Sequence, residues 1–264
     1  MWYKDATEFM ADMGHNRDGT WYPRVTRILD VKSKPALEIF IKEVGSFEAA
    51  EEIKNKSAEE GSLVHEVVQK VAVGEPVEIP ETIAPAVTAY QDFAPRRGIK
   101  LHPDFIERPV ISLQNRFTGT VDALAEIDGK FGVLDIKTST GFYKEYNLQT
   151  AAYVIALKEP ETKRALALPR DIQTRWILRV NQHRVCARCK ATLREKGGRS
   201  KMRNGKNRGV SFCAEDAHEW GAMEGDVELK EFPYYFGDIK AFLAAKTLWE
   251  WEHSYWLKAV GYIV

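Results

Sequence analysis

No run of 18 apolar residues occurs in the 264-residue sequence, so it holds no candidate membrane-crossing helix. It also lacks a charge surplus: 38 Lys and Arg balance 38 Asp and Glu. Whole-molecule charge therefore argues for no polyanionic partner, and any nucleic-acid contact must come from local patches. Cysteine is scarce. Three residues are an odd number, unsuited to a disulfide framework, and a reducing cytoplasmic setting is the expectation. The opening MWYKDATEFMADMG has no apolar stretch of the secretory kind. Internal repeats are absent too. What remains is an ordinary globular composition, 44% hydrophobic and 11% aromatic, enough for one large domain or a domain with an insertion.

Within that ordinary background, GTVDALAEIDGKFGVLDIKTS (residues 119–139) is unusual. Val121, Ala123, Ala125 and Ile127 alternate with Asp122, Leu124 and Glu126, the period of a strand. Asp128-Gly129 then predicts a two-residue hairpin turn. Pairing Ile127 with Lys130 and counting outward sets Asp122 opposite Asp135, with Lys137 on the same face as Asp135. Directly opposed like charges are destabilising. A divalent cation resolves the repulsion, since Mg²⁺ favours one or two carboxylates with waters and phosphates. Leu134 and Ile136 fall on the other face and suit a core. The plainer alternative is a surface hairpin with a charged outer face.

Around the hairpin, residues 25–73 read as helices broken near Pro35 and Gly45, and 84–93 as another helix. Residues 106–113 read as a strand. Lys144–Lys158 reads as a helix, 175–180 and 227–232 as strands, and Asp238 as the cap of a final helix. Residues 1–22 show no clear periodicity. This order predicts an α/β (α+β) fold with a mixed central sheet flanked by helices.

Between the last two strands the composition changes. Residues 181–210 hold ten Lys and Arg but one acid, Glu195, with several glycines. The segment reads as an insertion outside the sheet. All three cysteines lie in or just beyond it: Cys186 and Cys189 as CxxC, then Cys213, with His218 following as C-x4-H. That spacing predicts a structural Cys₃His zinc site, with His183 a competing fourth ligand. Arg188, Lys190, Arg194, Arg199, Lys201 and Arg203 would then supply salt-dependent phosphate contacts. A solvated flexible loop is the alternative.

Other polar residues could join the hairpin. His65 sits in GSLVH on a helical stretch, Glu107 in ERPV on the preceding strand, and Gln149 and Tyr153 four apart in QTAAY share one helix face. Singly, each is as well explained as a core or solvated residue. Their order is more specific: His, Glu, Asp, then Asp-x-Lys thirteen residues on, then Gln-xxx-Tyr. This set resembles the PD-(D/E)XK nuclease superfamily, in its RecB-type exonuclease branch with CRISPR-adaptation nucleases, phage exonucleases and the mitochondrial genome maintenance exonuclease. YPRVTRIL (residues 22–29) is similar to the amino-terminal stretch of phage members. The resemblance covers residues 20–158 well and the remainder loosely.

The resemblance implies a restriction-endonuclease-like core (residues 101–180 and 226–264) with a helical region before it (1–100), and the cysteine spacing and basic composition add an inserted basic zinc knuckle (181–225). It implies Mg²⁺ or Mn²⁺ held by Asp122, Asp135, the Ile136 carbonyl and His65. Lys137 would position a water and offset negative charge on the reacting phosphate, Gln149 and Tyr153 would orient Lys137 or the DNA backbone, and Glu107 would support the site. The implied activity is hydrolysis of DNA, as an exonuclease on single strands or duplex ends, in a bacterial or phage-infected cell. Val121 stands where a Pro is usual and Asp135 where Glu is common. The first cysteine lies beyond the core, so the iron–sulfur arrangement of some relatives is absent. The alternatives are a non-catalytic DNA-binding accessory protein and a zinc-dependent interaction module on an inert scaffold.

Overall fold

The computed structural model describes residues 3–32, 35–204, 213–214 and 217–263. Lys206 and Arg208, two of the ten insert cations, lie outside the described residues. Residues 1–22, unassigned from periodicity, form α1 (Ala6–Met13) and a small hairpin of β1 (Gly14–Arg17) and β2 (Thr20–Pro23). Local signals for both were present. Asp5 caps α1 through the Glu8 N–H, and Asp18-Gly19 turns the hairpin with φ of 50° and 81°.

The helices expected over 25–73 are α2 (Val25–Ile28), α3 (Pro35–Val44) and α4 (Phe47–Val73). They break at Pro35 and at Gly45, which adopts φ 81°. Ser46 caps α4, and Gly74 ends it in the left-handed conformation. α5 (Ala84–Arg96) follows. Next come β3 (Lys100–Ser112), β4 (Phe117–Ile127), β5 (Lys130–Lys137), α6 (Lys144–Lys158) and α7 (Pro160–Ala165). β6 (Thr174–Cys186), β7 (Thr192–Lys196), β8 (Arg199–Arg203), β9 (Trp220–Glu231), α8 (Phe236–Glu252) and α9 (Ser254–Ala259) complete the chain. No helix among the described residues is long and apolar enough to cross a membrane.

The fold is mixed α/β, with a seven-stranded sheet flanked by helices. β3, β4 and β5 run as an antiparallel meander, β6 joins β5 in parallel, and the other pairings are antiparallel. One core lies under α4 and α5 and includes Leu134 and Ile136, as the hairpin pattern predicts. A second core lies on α6, α8 and the amino-terminal elements, and holds Phe117, Phe131 and Val133.

Two expectations need correction. Asp238 does not cap α8; it sits in the first turn and pairs with the fully buried Arg175. The Arg175 guanidinium also donates to the carbonyls of Asn147 (2.9 Å) and Phe232 (3.2 Å). Arg175→Met should therefore destabilise the fold by about 3 kcal/mol, as for a broken buried pair, read as a shift of the denaturant midpoint. The second correction concerns the insertion. β6 continues six residues past Val180 to Cys186, and β7 and β8 belong to the main sheet. The reason is edge geometry. β9 occupies one edge of β6 along Trp176–Cys186, while β5 occupies the other only as far as Arg179. β7 fills the edge that β5 leaves open, pairing at Arg184 and Val185. The basic hairpin thus stands just beyond the end of β5.

Candidate functional site

The Asp128-Gly129 turn has φ of 51° and 75°, as a tight hairpin turn requires. Ile127 pairs with Lys130, and the ladder runs to Ala123 and Leu134. One step further Asp122 comes level with Asp135. There the Asp122 side chain takes over from the ladder: its Oδ2 accepts the Ile136 N–H at 2.7 Å. Ile136 thus fixes a carboxylate through its N–H.

Three side chains converge at this point. Ligand atoms of His65 on α4, Glu107 on β3 and Asp122 on β4 all lie within 4.8 Å of one another and could hold a metal ion. His65 Nδ1 stands 3.6 Å from Asp122 Oδ2. Burial, then the Lys137 charge, pushes the His65 pKa down to about 4, so the ring is neutral and offers a lone pair. Glu107 adopts φ 46° just past the β3 register shift between Leu101 and Ile106, between the paired residues Ile106 and Arg108. Gln69, one turn after His65, donates to Glu107 Oε1 (2.7 Å) and to the Asp122 carbonyl (3.0 Å). Sequence reasoning missed Gln69, although its i,i+4 spacing from His65 is the same signal that linked Gln149 to Tyr153.

Asp135 lies beside this trio rather than within it. Its Oδ1 accepts from Lys137 Nζ at 2.9 Å, while its Oδ2 is buried with no partner. A buried, unpartnered carboxylate oxygen beside three ligand-type groups fits a divalent cation. Burial pushes both Asp122 and Asp135 up to about 6. Burial works against the Lys137 charge, but Asp135 and Asp122 outweigh it and hold its pKa above the usual lysine value. Lys137 also lies 5.1 Å over the Tyr146 ring.

Gln149 and Tyr153 do share a face of α6, with Gln149 donating to the Tyr153 hydroxyl at 2.9 Å. Tyr153 packs across Gly119, where a Cβ would stand 2.5 Å from its ring. A cleft of about 800 Å³ opens over this region, lined by His65, Lys137, Thr138, Tyr146, Arg194 and Lys196 among others.

At the far end of β6, ligand atoms of Cys186, Cys189, Cys213 and His218 also lie within 4.8 Å of one another and could hold a metal ion. Cys189 Sγ is 3.4 Å from His218 Nδ1, and the ring stacks on Trp220 at 4.7 Å. The His218 Nε2 is buried without a partner. His183 takes no part; it pairs with Glu224 in the sheet. Of the six cations expected to face nucleic acid, Arg199 and Lys201 pair with Glu43, and Arg188 lies 3.6 Å from Glu219. Lys190, Arg194, Lys201 and Arg203 line a second, smaller cleft of about 310 Å³.

His65→Ala is expected to raise the Mn²⁺ concentration needed for half-maximal binding on the order of tenfold or more, at least the cost of losing an outer-shell partner. Melting temperature should change little, because His65 is only partly buried and its ring replaces no core side chain. Mn²⁺ titrations beside melting curves check this, and a fall in stability without a shift in the titration would make His65 a packing residue. Neither the protein-family models nor the curated proteins compared with this chain match it.

Proposed function

We propose that this protein is a metal-dependent deoxyribonuclease of the PD-(D/E)XK type, acting as an exonuclease on single strands or duplex ends. The observation that carries the reading is the convergence of His65, Glu107 and Asp122 beside the orphaned Asp135 oxygen, with Lys137 on the same wall. A purely structural ion pair does not need so many acidic and imidazole groups at one point. The resemblance in order and spacing over residues 20–158 supports the same assignment.

His65, Glu107, Asp122 and Asp135 would hold Mg²⁺ or Mn²⁺, the imidazole favouring Mn²⁺. The bound ion would polarise the phosphodiester and lower the pKa of a water. Lys137 is kept protonated by the two carboxylates, so it serves as a fixed positive charge for the phosphate rather than as a base. Tyr153, whose pKa burial raises, keeps its proton and can donate while accepting from Gln149. Gln69 holds Glu107 in place through a hydrogen bond made before any ligand arrives. The Cys₃His cluster would carry a structural zinc that sets the base of the basic hairpin.

End-labelled single- and double-stranded oligonucleotides, linear and circular, with Mg²⁺, Mn²⁺ or EDTA, test this. Metal-dependent shortening from an end is the expected result. Binding without cleavage would make the chain a DNA-binding accessory protein. Neither binding nor cleavage would leave the cysteine cluster as the core of an interaction module.

A further inference from the structure

Arg194 and Lys196 differ from the other cations of the hairpin in being partly buried without a carboxylate beside them; Lys190 and Arg203 also have none within 4 Å among the described residues, but both are exposed. Arg184, Arg188, Arg199 and Lys201 each have a carboxylate within 4 Å. Among the described residues, Arg194 and Lys196 have none. The Arg194 guanidinium donates to Asn181 Oδ1 (3.1 and 2.9 Å) and to the Thr138 carbonyl. Lys196 Nζ donates to the Thr138 carbonyl (3.3 Å) and hydroxyl. These acceptors are neutral, and the carboxylate acting on both cations, Glu60, lies beyond ion-pair distance, so two half-buried positive charges are only partly offset, an arrangement that costs stability without an anion. Burial, then Arg194, pushes Lys196 down to about 8.

Their location gives that cost a purpose. Thr138 follows Lys137 directly, and both Arg194 and Lys196 line the same cleft as His65 and Lys137. The tip of the hairpin is seated on α4. Gly197 adopts φ 63°, donates its N–H to Glu60 (3.0 Å), and leaves no room for a Cβ, which would lie 2.5 Å from the Ile53 carbonyl. The sheet holds one end of β7 and α4 holds the other, so Lys196 is rigidly aimed.

We infer that Lys196, with Arg194 beside it, is a substrate-binding residue of the cleft that takes the DNA phosphate next to the reacting one, its reach fixed by Gly197 against α4. This rests on the nuclease reading of the cleft. Lys196 was not among the cations singled out from sequence.

The test is anisotropy of a labelled oligothymidylate with no added Mg²⁺ or Mn²⁺ and no chelator, so that the cysteine cluster keeps its metal, between about 50 and 200 mM salt. Lys196→Ala should weaken binding and flatten the log–log salt slope by about 0.7, one phosphate contact on a single strand. Lys196→Arg should restore the slope, which a merely structural role would not require. Gly197→Val removes no charge, yet should flatten the slope by lifting the tip from α4. Arg188→Ala, remote from the cleft and already beside Glu219, should change the slope less. With Mg²⁺, Lys196→Ala should raise KM and leave kcat near wild type. A wild-type protein that binds with an unchanged slope in Lys196→Ala overturns the Lys196 assignment alone. A wild-type protein that binds no oligonucleotide overturns the nuclease reading and this inference with it.

Discussion

Asp135→Ala is expected to slow Mg²⁺-dependent cleavage of end-labelled DNA on the order of 10²-fold or more, while the protein stays folded. The two halves of that statement have different causes. Asp135 is fully buried, with one oxygen on Lys137 and the other unpartnered. Its carboxylate does little for the fold: burial raises its pKa to about 6, the mark of a charge held at a cost. In the proposed reaction it would supply a ligand oxygen and fix the Lys137 ammonium, and Ala would remove both. Asp122→Asn would lose a metal-binding oxygen, and its amide cannot accept the Ile136 N–H with the strength of a charged group. Lys137→Ala should fall as far, because the positive charge on the phosphate is lost. Single-turnover rates beside melting curves separate rate from stability. Near-normal turnover in Lys137→Ala would sink the assignment.

The hairpin that carries this chemistry was legible because its signal is local. A tight turn at Asp128-Gly129 and a period of two together fix the register, and the register fixes which side chains meet. The helix breaks at Pro35 and Gly45 were legible for the same reason. The basic hairpin was not. Residues 192–203 look like a loop in composition, yet they form strands because β6 offers them an open edge beyond β5. That edge is a property of the assembled sheet and leaves no trace in local pattern. Asp238 misled in a related way: an acid at a helix start reads as a cap, but its true partner, Arg175, lies 63 residues away. Glu107 was underrated because nothing in ERPV announces the positive φ of its backbone at that position.

Purified protein should carry about one zinc per chain by elemental analysis, and Cys186→Ser should release it. The four ligand atoms are already gathered within 4.8 Å, and Cys186 and Cys189 are buried. Burial alone would raise the Cys186 pKa. N–H groups of Cys189, Glu219 and Arg188 and the His218 ring outweigh it and bring Cys186 down to about 6, so a thiolate stands there at neutral pH. Burial and the neighbouring sulfurs push Cys213 up to about 11 instead. One thiolate with two further sulfurs and an imidazole within 4.8 Å is a donor set that suits tetrahedral Zn²⁺. Apolar packing cannot replace it, since the cluster's core is Cys186, Cys189 and Ala191 with Cys213 and Trp220 against it. Metal binding there would therefore be local folding free energy. Loss of the metal should loosen the base of β7 while the catalytic hairpin, built on β4 and β5, keeps its register. Cleavage of short substrates should persist, DNA affinity should fall, and its salt dependence should flatten as hairpin contacts go. Iron with visible absorbance would replace the zinc assignment by a cluster. A metal-free protein with unchanged affinity and an ordered hairpin would show that the sheet edge and α4 hold β7 unaided.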